Sequence, residues 1–307
     1  MKIVVTSPSF SKHPMLIKDM EDKFDNYVLN TKGTRFNEDE LIEYIGDAQA
    51  VIIGLDQVTP RVLDSCPNLK IVSKYGVGLD NVNVLACKER KIAIGWTGGV
   101  NKLSVAEMVI GNAISLLRKL YYTSNLLKNG KWKKNGGKQL SETVIGVIGV
   151  GHIGKEVIRL LKPFNCNILV NDIIEQDEYY KKNGLTNVSK EEIYKRSDVI
   201  TIHTPLTDDT KEMINASSLS LMKNDAVIIN TARGLLVNLD DLEVALKTGS
   251  IGGAAIDVYD LEPPIRNGLI AIPNLINTPH IGGNSKEAVY AMGSSAIEHV
   301  CKFFDLK

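Results

Sequence analysis

A glycine-rich segment with the sequence GVGHIG occupies residues 149–154. It follows a β-rich run, Val144–Ile148, and leads into a stretch whose apolar residues recur at helical spacing. In such a strand–turn–helix unit the first glycine permits the tight turn, the second lets a diphosphate approach the backbone, and the third lets helix and strand pack closely. The pattern predicts a dinucleotide site with the phosphates at the N-terminus of the helix. The predicted contact residues are Gly149, Gly151, His152, Ile153 and Gly154.

An acidic residue, Asp172, stands 18 residues beyond Gly154, just after the next β-rich run, Asn167–Val170. A carboxylate at this place can accept hydrogen bonds from the adenosine ribose hydroxyls and repels a 2′-phosphate. The residue therefore favours NAD over NADP as the dinucleotide. The alternative is a tight structural turn followed by an ordinary surface aspartate.

Short β-rich runs alternate with longer helical patterns along the chain, which is typical of parallel α/β sheets. The alternation predicts an α/β protein with two doubly wound parallel-sheet domains. The first series of predicted strands is Lys2–Thr6, Tyr27–Asn30, Ala50–Gly54, Lys70–Ser73 and Ile92–Trp96. The second is Val144–Ile148, Asn167–Val170, Val199–His203, Ala226–Asn230, Ala254–Val258 and Leu275–Thr278.

A long helical pattern from about Lys102 to Lys128 lies between the two series of strands. Its apolar residues lie on more than one face, which predicts a buried helix or a contact with a second subunit. The segment Asn129–Gly137 is predicted to be a loop, and a helix is predicted over Lys286–Phe304.

The composition argues against several classes of partner. The chain has 36 Lys and Arg against 36 Asp and Glu, so its formal net charge of zero gives no reason to expect nucleic acid or an anionic membrane. No window of 18 apolar residues predicts a membrane span. The four cysteines are scattered without a CxxC pair, so neither a metal site nor a disulfide framework is expected, and reduced thiols in a cytoplasmic protein are the default.

Several further segments, taken in order, resemble the D-2-hydroxyacid dehydrogenase family, and in particular its D-3-phosphoglycerate dehydrogenase-like branch. The resemblance covers almost the whole chain. The segments that carry it are KYGVGLDNV at 74–82, Asn101 with SVAE at 104–107, the glycine-rich segment, HTPLT at 203–207, NTARG at 230–234, DVYDLEPP at 257–264 and TPHIGG at 278–283.

This resemblance implies a Rossmann NAD domain inserted in a flavodoxin-like substrate domain. The substrate-binding domain would comprise residues 1–99 and 284–307, and the NAD-binding domain would comprise residues 100–283. The resemblance also implies an enzyme, an NAD-dependent oxidoreductase that moves a hydride between NAD(H) and a small D-2-hydroxy or 2-keto acid and forms a homodimer.

A dehydrogenase of this kind needs a cation for the substrate oxygens, a group that exchanges the hydroxyl proton, and a partner for that group. Arg233 follows an apolar strand at the end where ligands bind, and its guanidinium suits a carboxylate and a carbonyl. From its position alone, a structural salt bridge is the alternative for Arg233. His280 is the predicted acid–base residue. Glu262 is its predicted partner, because a carboxylate stabilises imidazolium; a solvated loop acid is the alternative.

The resemblance assigns further contacts to both ligands. Asp257 would bind the nicotinamide carboxamide, and the backbone N–H groups of Val77 and Gly78 would bind the substrate carboxylate. Lys74 would bind a substrate phosphate, with a plain surface charge as the alternative. The remaining predicted cofactor residues are His203, Thr204, Pro205, Thr210, Thr231, Ala232 and Gly282, and Asn101 completes the predicted substrate set.

The chain departs from the family pattern at two places. It lacks the proline that usually precedes Asn101, and it has His152 where an arginine is frequent. The first departure leaves the substrate open. The predicted pair is 3-phosphoglycerate and phosphohydroxypyruvate, which would place the enzyme in serine biosynthesis. The alternatives are a glyoxylate, hydroxypyruvate or D-lactate enzyme of the same chemistry, and a binding protein that senses NAD(H) without turnover.

Overall fold

The computed structural model describes residues 1–134 and 136–306, and these residues fold into two compact units. The first unit contains Met1–Asn101 together with the C-terminal segment that begins at Asn284. The second unit runs from Lys102 to Gly283. Asn135, in the predicted 129–137 loop, lies outside the described residues.

The first unit is built on a parallel sheet in which the described strands have the order β2-β1-β3-β4-β5. This is the order of flavodoxin-like sheets, in which ligands bind beyond the carboxyl ends of the strands. The strands are β1 (Ile3–Val5), β2 (Tyr27–Leu29), β3 (Ala50–Ile53), β4 (Ile71–Lys74) and β5 (Ala93–Gly95). The helices between them are α1 (Pro8–Ser11), α2 (Pro14–Lys23), α3 (Glu38–Ile45), α4 (Pro60–Ser65) and α5 (Val84–Glu89).

The described strands of the second unit form a parallel sheet with the order β12-β11-β10-β9-β6-β7-β8, which reverses between β6 and β9. Its strands are β6 (Val144–Ile148), β7 (Asn167–Asn171), β8 (Thr186–Asn187), β9 (Val199–Ile202), β10 (Val227–Asn230), β11 (Gly253–Ile256) and β12 (Leu275–Asn277). Its helices are α6 (Lys102–Leu117), α7 (Leu120–Lys128), α8 (His152–Leu161), α9 (Asp177–Asn183), α10 (Lys190–Arg196), α11 (Ala216–Ser220), α12 (Leu239–Thr248) and α13 (Asn267–Ile270). Short 3-10 helices cover Leu140–Glu142, Lys162–Phe164 and Gly234–Leu236.

Each sheet has an apolar layer on both faces, because successive residues of a strand point to opposite sides. In β1, Val4 packs in one buried cluster, whereas Ile3 and Val5 pack in the other. The C-terminal helix, α14 (Lys286–Phe303), packs with Ile297 and neighbouring apolar residues into the second of these clusters. None of the helices in the described parts of the chain is both long and apolar enough to cross a membrane.

The predicted fold class, two doubly wound parallel sheets, is confirmed. The predicted single helix from Lys102 to Lys128 is wrong in one respect, because it is two helices. Lys119 adopts a left-handed backbone with a φ of 54°, which ends α6 and starts α7, whereas Gly111 lies inside α6 without interrupting it. Strand β8 was not predicted, since its two exposed polar residues give no apolar signal.

A buried carboxylate fixes the amino ends of three strands in the second unit. Asp198, which is 5% exposed, accepts from Lys138 Nζ at 2.7 Å, from the Val144 N–H at 2.8 Å and from Lys223 Nζ at 3.1 Å. Burial by itself would raise the pKa of the Asp198 carboxyl, but these three donors together hold that pKa below its usual value. The start of β6 is thereby tied to the residues that precede β9 and β10.

Candidate functional site

The glycine loop connects β6 to α8, and its first glycine has a left-handed backbone. Gly149 has a φ of 93°, and a Cβ at this position would lie 2.6 Å from the backbone of His203. His203 directly follows β9, the strand next to β6 at which the strand order reverses. The two loops therefore meet at the switch point of the sheet, where dinucleotides bind in this architecture.

The other two glycines of the loop have different surroundings. A Cβ at Gly154 would lie 2.0 Å from the Gly149 carbonyl oxygen, so the approach of helix to strand requires glycine there. At Gly151, the N-cap of α8, no heavy atom of the described residues comes within 4 Å of the Cβ position, its chain neighbours aside. No described side chain caps α8, so its first backbone N–H groups remain available to a ligand. His152 is the exposed first residue of α8, and Ile153 is half-buried.

Three buried polar atoms close to the carboxyl ends of β9 and β10 have no hydrogen-bond partner among the described residues. They are Nδ1 of His203, Oγ1 of Thr204 and Oγ1 of Thr231. Buried polar atoms nearly always have partners, so this set indicates a polar ligand at the same end of the sheet. Together with the open space beside Gly151, these atoms fit a dinucleotide such as NAD.

The imidazole of His203 is held in its neutral form. Its Nε2 atom lies 2.9 Å from Thr201 Oγ1, and burial lowers the pKa of His203 to about 3. A histidine that stays neutral throughout the physiological range cannot exchange protons there, so the geometry gives His203 a role in the shape of the pocket.

Asp172 follows β7 and contacts the glycine loop directly. One carboxylate oxygen accepts from the Val150 N–H at 2.5 Å, and the other accepts from the Ile174 N–H at 2.9 Å. The side chain is half-buried. The acid that the sequence assigns to the ribose therefore also fixes the backbone between Gly149 and Gly151.

The remaining predicted cofactor residues lie on the loops after β9 and β10. Thr210 Oγ1 donates to the Pro205 carbonyl at 2.8 Å and accepts from the Thr207 N–H at 2.8 Å, which closes the turn after β9. Ala232 is buried, with 8% of its surface exposed, two residues beyond β10.

Two of the predicted catalytic residues are in direct contact. His280 Nδ1 lies 2.8 Å from Glu262 Oε2, and the other carboxylate oxygen accepts from the Tyr259 N–H at 3.1 Å. The side chains of His280 and Glu262 are 50% and 40% exposed, so a small molecule can reach the imidazole. Because Nδ1 faces the carboxylate, Nε2 is the ring nitrogen left for proton exchange with a substrate.

The loop that carries His280 is organised by Asp257, which is 1% exposed. Its carboxylate accepts from Thr278 Oγ1 at 2.6 Å, from the Ile281 N–H at 2.8 Å and from the Gly282 N–H at 2.7 Å. His280 itself has a left-handed backbone with a φ of 54°. The Asp257 carboxylate, predicted to bind the nicotinamide carboxamide, thus has three partners in this loop.

Arg233 follows β10 on a loop that is shaped by a fully buried amide. The Asn230 side chain donates to the Arg233 carbonyl at 2.8 Å and accepts from the Ala232 N–H at 3.0 Å. A Cβ at Gly234 would lie 2.0 Å from the Tyr259 carbonyl carbon, so this loop packs against the one that carries Glu262. The guanidinium is half-buried, and its Nη1 atom donates to the Ala232 carbonyl at 2.7 Å.

Two positioning side chains were missed by sequence reasoning. Asn230 shapes the Arg233 loop, and Ser104 Oγ in the first turn of α6 donates to the Gly282 carbonyl at 2.7 Å. The only sequence signal for either was its place in a family segment.

The predicted substrate residues Lys74, Val77, Gly78 and Asn101 belong to the first unit. Lys74, at the end of β4, is 6% exposed, and its ammonium donates to the Gly54 carbonyl and, at 2.6 Å, to Asn81 Oδ1. The alternative of a plain surface charge for Lys74 is therefore wrong. Val77 and Gly78 are half-buried, and Asn101 is 7% exposed.

The family model for the NAD-binding domain of D-isomer specific 2-hydroxyacid dehydrogenases matches residues 110–282. The chain is 36% identical over 305 residues to D-3-phosphoglycerate dehydrogenase of Methanocaldococcus jannaschii, which covers 98% of this chain and 57% of that enzyme. The chain thus spans little more than half the length of this relative. It is 31% identical over 307 residues to hydroxypyruvate reductase of Thermotoga maritima, which covers 98% of this chain and 97% of the reductase.

Solved structures of the same architecture match over nearly the whole chain. The TT0316 protein from Thermus thermophilus has a TM-score of 0.86 at 28% identity and covers 97% of this chain and 95% of its own. D-lactate dehydrogenase from Aquifex aeolicus, solved with NAD and lactic acid, has a TM-score of 0.85 at 26% identity and covers 99% of this chain and 96% of its own.

Proposed function

Because the chain belongs to the D-isomer specific 2-hydroxyacid dehydrogenase family, whose enzymes use NAD, we propose that it transfers a hydride between NAD(H) and a small D-2-hydroxy or 2-keto acid. The resemblance seen in the sequence, including the D-3-phosphoglycerate dehydrogenase-like branch, is confirmed by these relatives. The second unit contains the family's NAD-binding domain, and we propose the first unit as the substrate-binding domain.

The observation that carries the proposal is the contact between His280 and Glu262. In the oxidation of a 2-hydroxy acid, His280 Nε2 takes the proton of the substrate hydroxyl, and Glu262 stabilises the imidazolium that results. In the reduction of a 2-keto acid, the same nitrogen returns the proton to the carbonyl oxygen. Glu262 can hold its position through both directions because the Tyr259 N–H binds its other oxygen.

Arg233 is the proposed ligand of the substrate carboxylate and carbonyl. A guanidinium offers paired N–H donors in a plane, which suits two neighbouring oxygens of a 2-keto acid. The buried Asn230 amide fixes the backbone of this loop and so limits the positions that the guanidinium can reach.

Bound NAD supplies the acceptor of the hydride in oxidation, and NADH supplies its donor in reduction. The glycine loop and the N-terminus of α8 would hold the diphosphate, with Asp172 at the ribose. Thr204, Thr231 and His203 would give their buried polar atoms to the dinucleotide.

We propose 3-phosphoglycerate and phosphohydroxypyruvate as the first substrate pair to test, which would place the enzyme in serine biosynthesis. The similarity to D-3-phosphoglycerate dehydrogenases supports this choice. The burial of Lys74 favours a second candidate, an unphosphorylated acid such as hydroxypyruvate, glyoxylate or pyruvate. Its ammonium already binds Gly54 and Asn81, so a phosphate would have to compete with those acceptors.

We also propose that the enzyme is a cytoplasmic homodimer. Every residue of α7 is at least partly exposed, and Leu120, Tyr121 and Leu127 in this helix are 48%, 45% and 56% exposed. A second copy of the chain would cover such apolar residues. The four cysteines are free thiols, which fits a reducing compartment.

The test is a panel of 2-keto acids with NADH and with NADPH, run on the wild type and on His280→Ala. We expect NADH-dependent reduction by the wild type, and a loss of at least about 100-fold in His280→Ala with unchanged NADH binding. Normal turnover by His280→Ala would refute the proton-transfer role. Tight NADH binding without reduction of any 2-keto acid would instead support an NAD(H) sensor.

A further inference from the structure

A tryptophan in the first unit holds the backbone of the segment that the sequence assigns to the substrate carboxylate. Trp96 follows β5, and its indole Nε1–H donates to the Val77 carbonyl at 2.9 Å. The indole is 42% exposed, so core packing alone does not account for it. Its polar contact is with a backbone atom one residue before Gly78.

The contact fixes the direction of the next backbone donor. The Val77 carbonyl and the Gly78 N–H belong to one planar trans peptide unit, in which they point in opposite directions. When the carbonyl is bound by the indole, the Gly78 N–H is directed away from Trp96. A fixed donor loses less freedom when it binds a carboxylate than a mobile one does.

The same segment is also anchored at its start. Lys74 donates to the Gly54 carbonyl and to Asn81 Oδ1, and Asn81 donates in turn to the Asp56 carbonyl at 2.6 Å. Gly76 has a φ of 138°, a conformation that favours glycine. Lys74 therefore fixes one end of the turn over residues 74–78, and Trp96 fixes the other.

We propose that Trp96 is a positioning residue for the substrate carboxylate, because its indole N–H orients the Val77–Gly78 peptide. This inference rests on the proposed function, since it assumes that the Gly78 N–H binds a 2-keto acid. It assigns no chemical step to Trp96, so loss of the indole N–H weakens the binding of the acid and leaves the bound complex competent to react.

The experiment uses the two tryptophans of the chain. Trp132 is 78% exposed and lies outside the 74–78 turn, so Trp132→Phe is both the matched control and the parent protein. In this parent, Trp96→Phe removes the indole, and replacement of Trp96 by 3-benzothienylalanine keeps the bicyclic ring but removes the N–H. Thermal unfolding checks that each variant folds as the parent does.

Both replacements of Trp96 should raise the KM of the best 2-keto acid about five-fold, since one hydrogen bond is lost. The kcat and the Kd of NADH should stay within about two-fold of the parent values. An unchanged KM in the benzothienyl variant would overturn the inference, and so would an equal weakening of NADH binding. A parent that reduces no 2-keto acid would instead refute the proposed function, and this inference with it.

Discussion

The Glu262 carboxylate is bound on both oxygens: Oε2 lies 2.8 Å from His280 Nδ1, and Oε1 accepts from the Tyr259 N–H at 3.1 Å. A side chain held at two points cannot turn away when the imidazole gains or loses a proton. The negative charge therefore stays beside His280 in both directions of the proposed reaction, which gives a direct prediction for its removal.

Glu262→Gln should move the pH profile of 2-keto acid reduction to lower pH by about one unit. Reduction needs the imidazolium as proton donor, and without the carboxylate the imidazolium loses its proton at a lower pH. The measurement is kcat/KM against pH, with Asp260→Asn as control, since Asp260 lies on the same loop and pairs with Arg266. A profile that stays in place would contradict the role of Glu262.

Asp172→Asn should narrow the preference for NADH over NADPH by about ten-fold or more. The asparagine keeps an acceptor for the Val150 N–H but removes the charge that repels a 2′-phosphate. The Kd values of both dinucleotides, measured by fluorescence, check the prediction. Asp177→Asn is the control, because Asp177 is an exposed acid in the first turn of α9. The same preference in Asp172→Asn and wild type would rule out the ribose assignment.

His203→Gln should make stability less dependent on pH. The pKa of His203 is about 3 in the folded protein against an ordinary value of 6.5, so between these values the unfolded chain binds a proton that the folded chain does not. The free energy of unfolding therefore falls as pH drops through this window, by up to about 1.4 kcal/mol per pH unit. The variant should lose most of this slope between pH 6 and pH 5.

Chemical denaturation at several pH values measures this slope for the wild type and His203→Gln. His152→Gln is the matched control, because it removes an exposed histidine from the neighbouring loop at the switch point. Parallel curves for the wild type and His203→Gln would show that His203 is not the group responsible.

Asp198→Asn should lower the free energy of unfolding by about 2 kcal/mol at neutral pH, since hydrogen bonds to a buried charge are lost. The pKa of Asp198 is lowered in the folded state, so its contribution is present above the ordinary pKa of 3.8 and is lost as pH falls through the lower folded value. The difference between variant and wild type should therefore shrink in strong acid. A constant difference down to that range would argue against the ion pairs as its source.

The sequence predicted those features whose signal is local. The strand Val144–Ile148 and the glycine pattern after it lie within a dozen residues, and each glycine has a distinct steric environment in the structure. The parallel sheets follow from alternation of strands and helices over the whole chain. Site residues beyond the glycine loop were assigned through the family resemblance, and their roles stay predictions.

Features that depend on contacts between distant residues could not be predicted. Propensity gave no sign that Lys119 would take a left-handed backbone, or that Lys74 would bury its ammonium against Gly54. The contact of Trp96 with Val77 joins two loops that are 19 residues apart, and only the paired strands β4 and β5 bring them together.

The open space beside Gly151 offers a way to separate folding from ligand occupancy. A methyl group added there would meet no described heavy atom beyond its chain neighbours, and the backbone φ of −81° suits any residue. Gly151→Ala should therefore keep the melting temperature of the ligand-free protein while it excludes the diphosphate. Such a cofactor-blind form would serve as a reference state, against which the stabilisation contributed by the dinucleotide could be measured as a difference between two otherwise matched proteins.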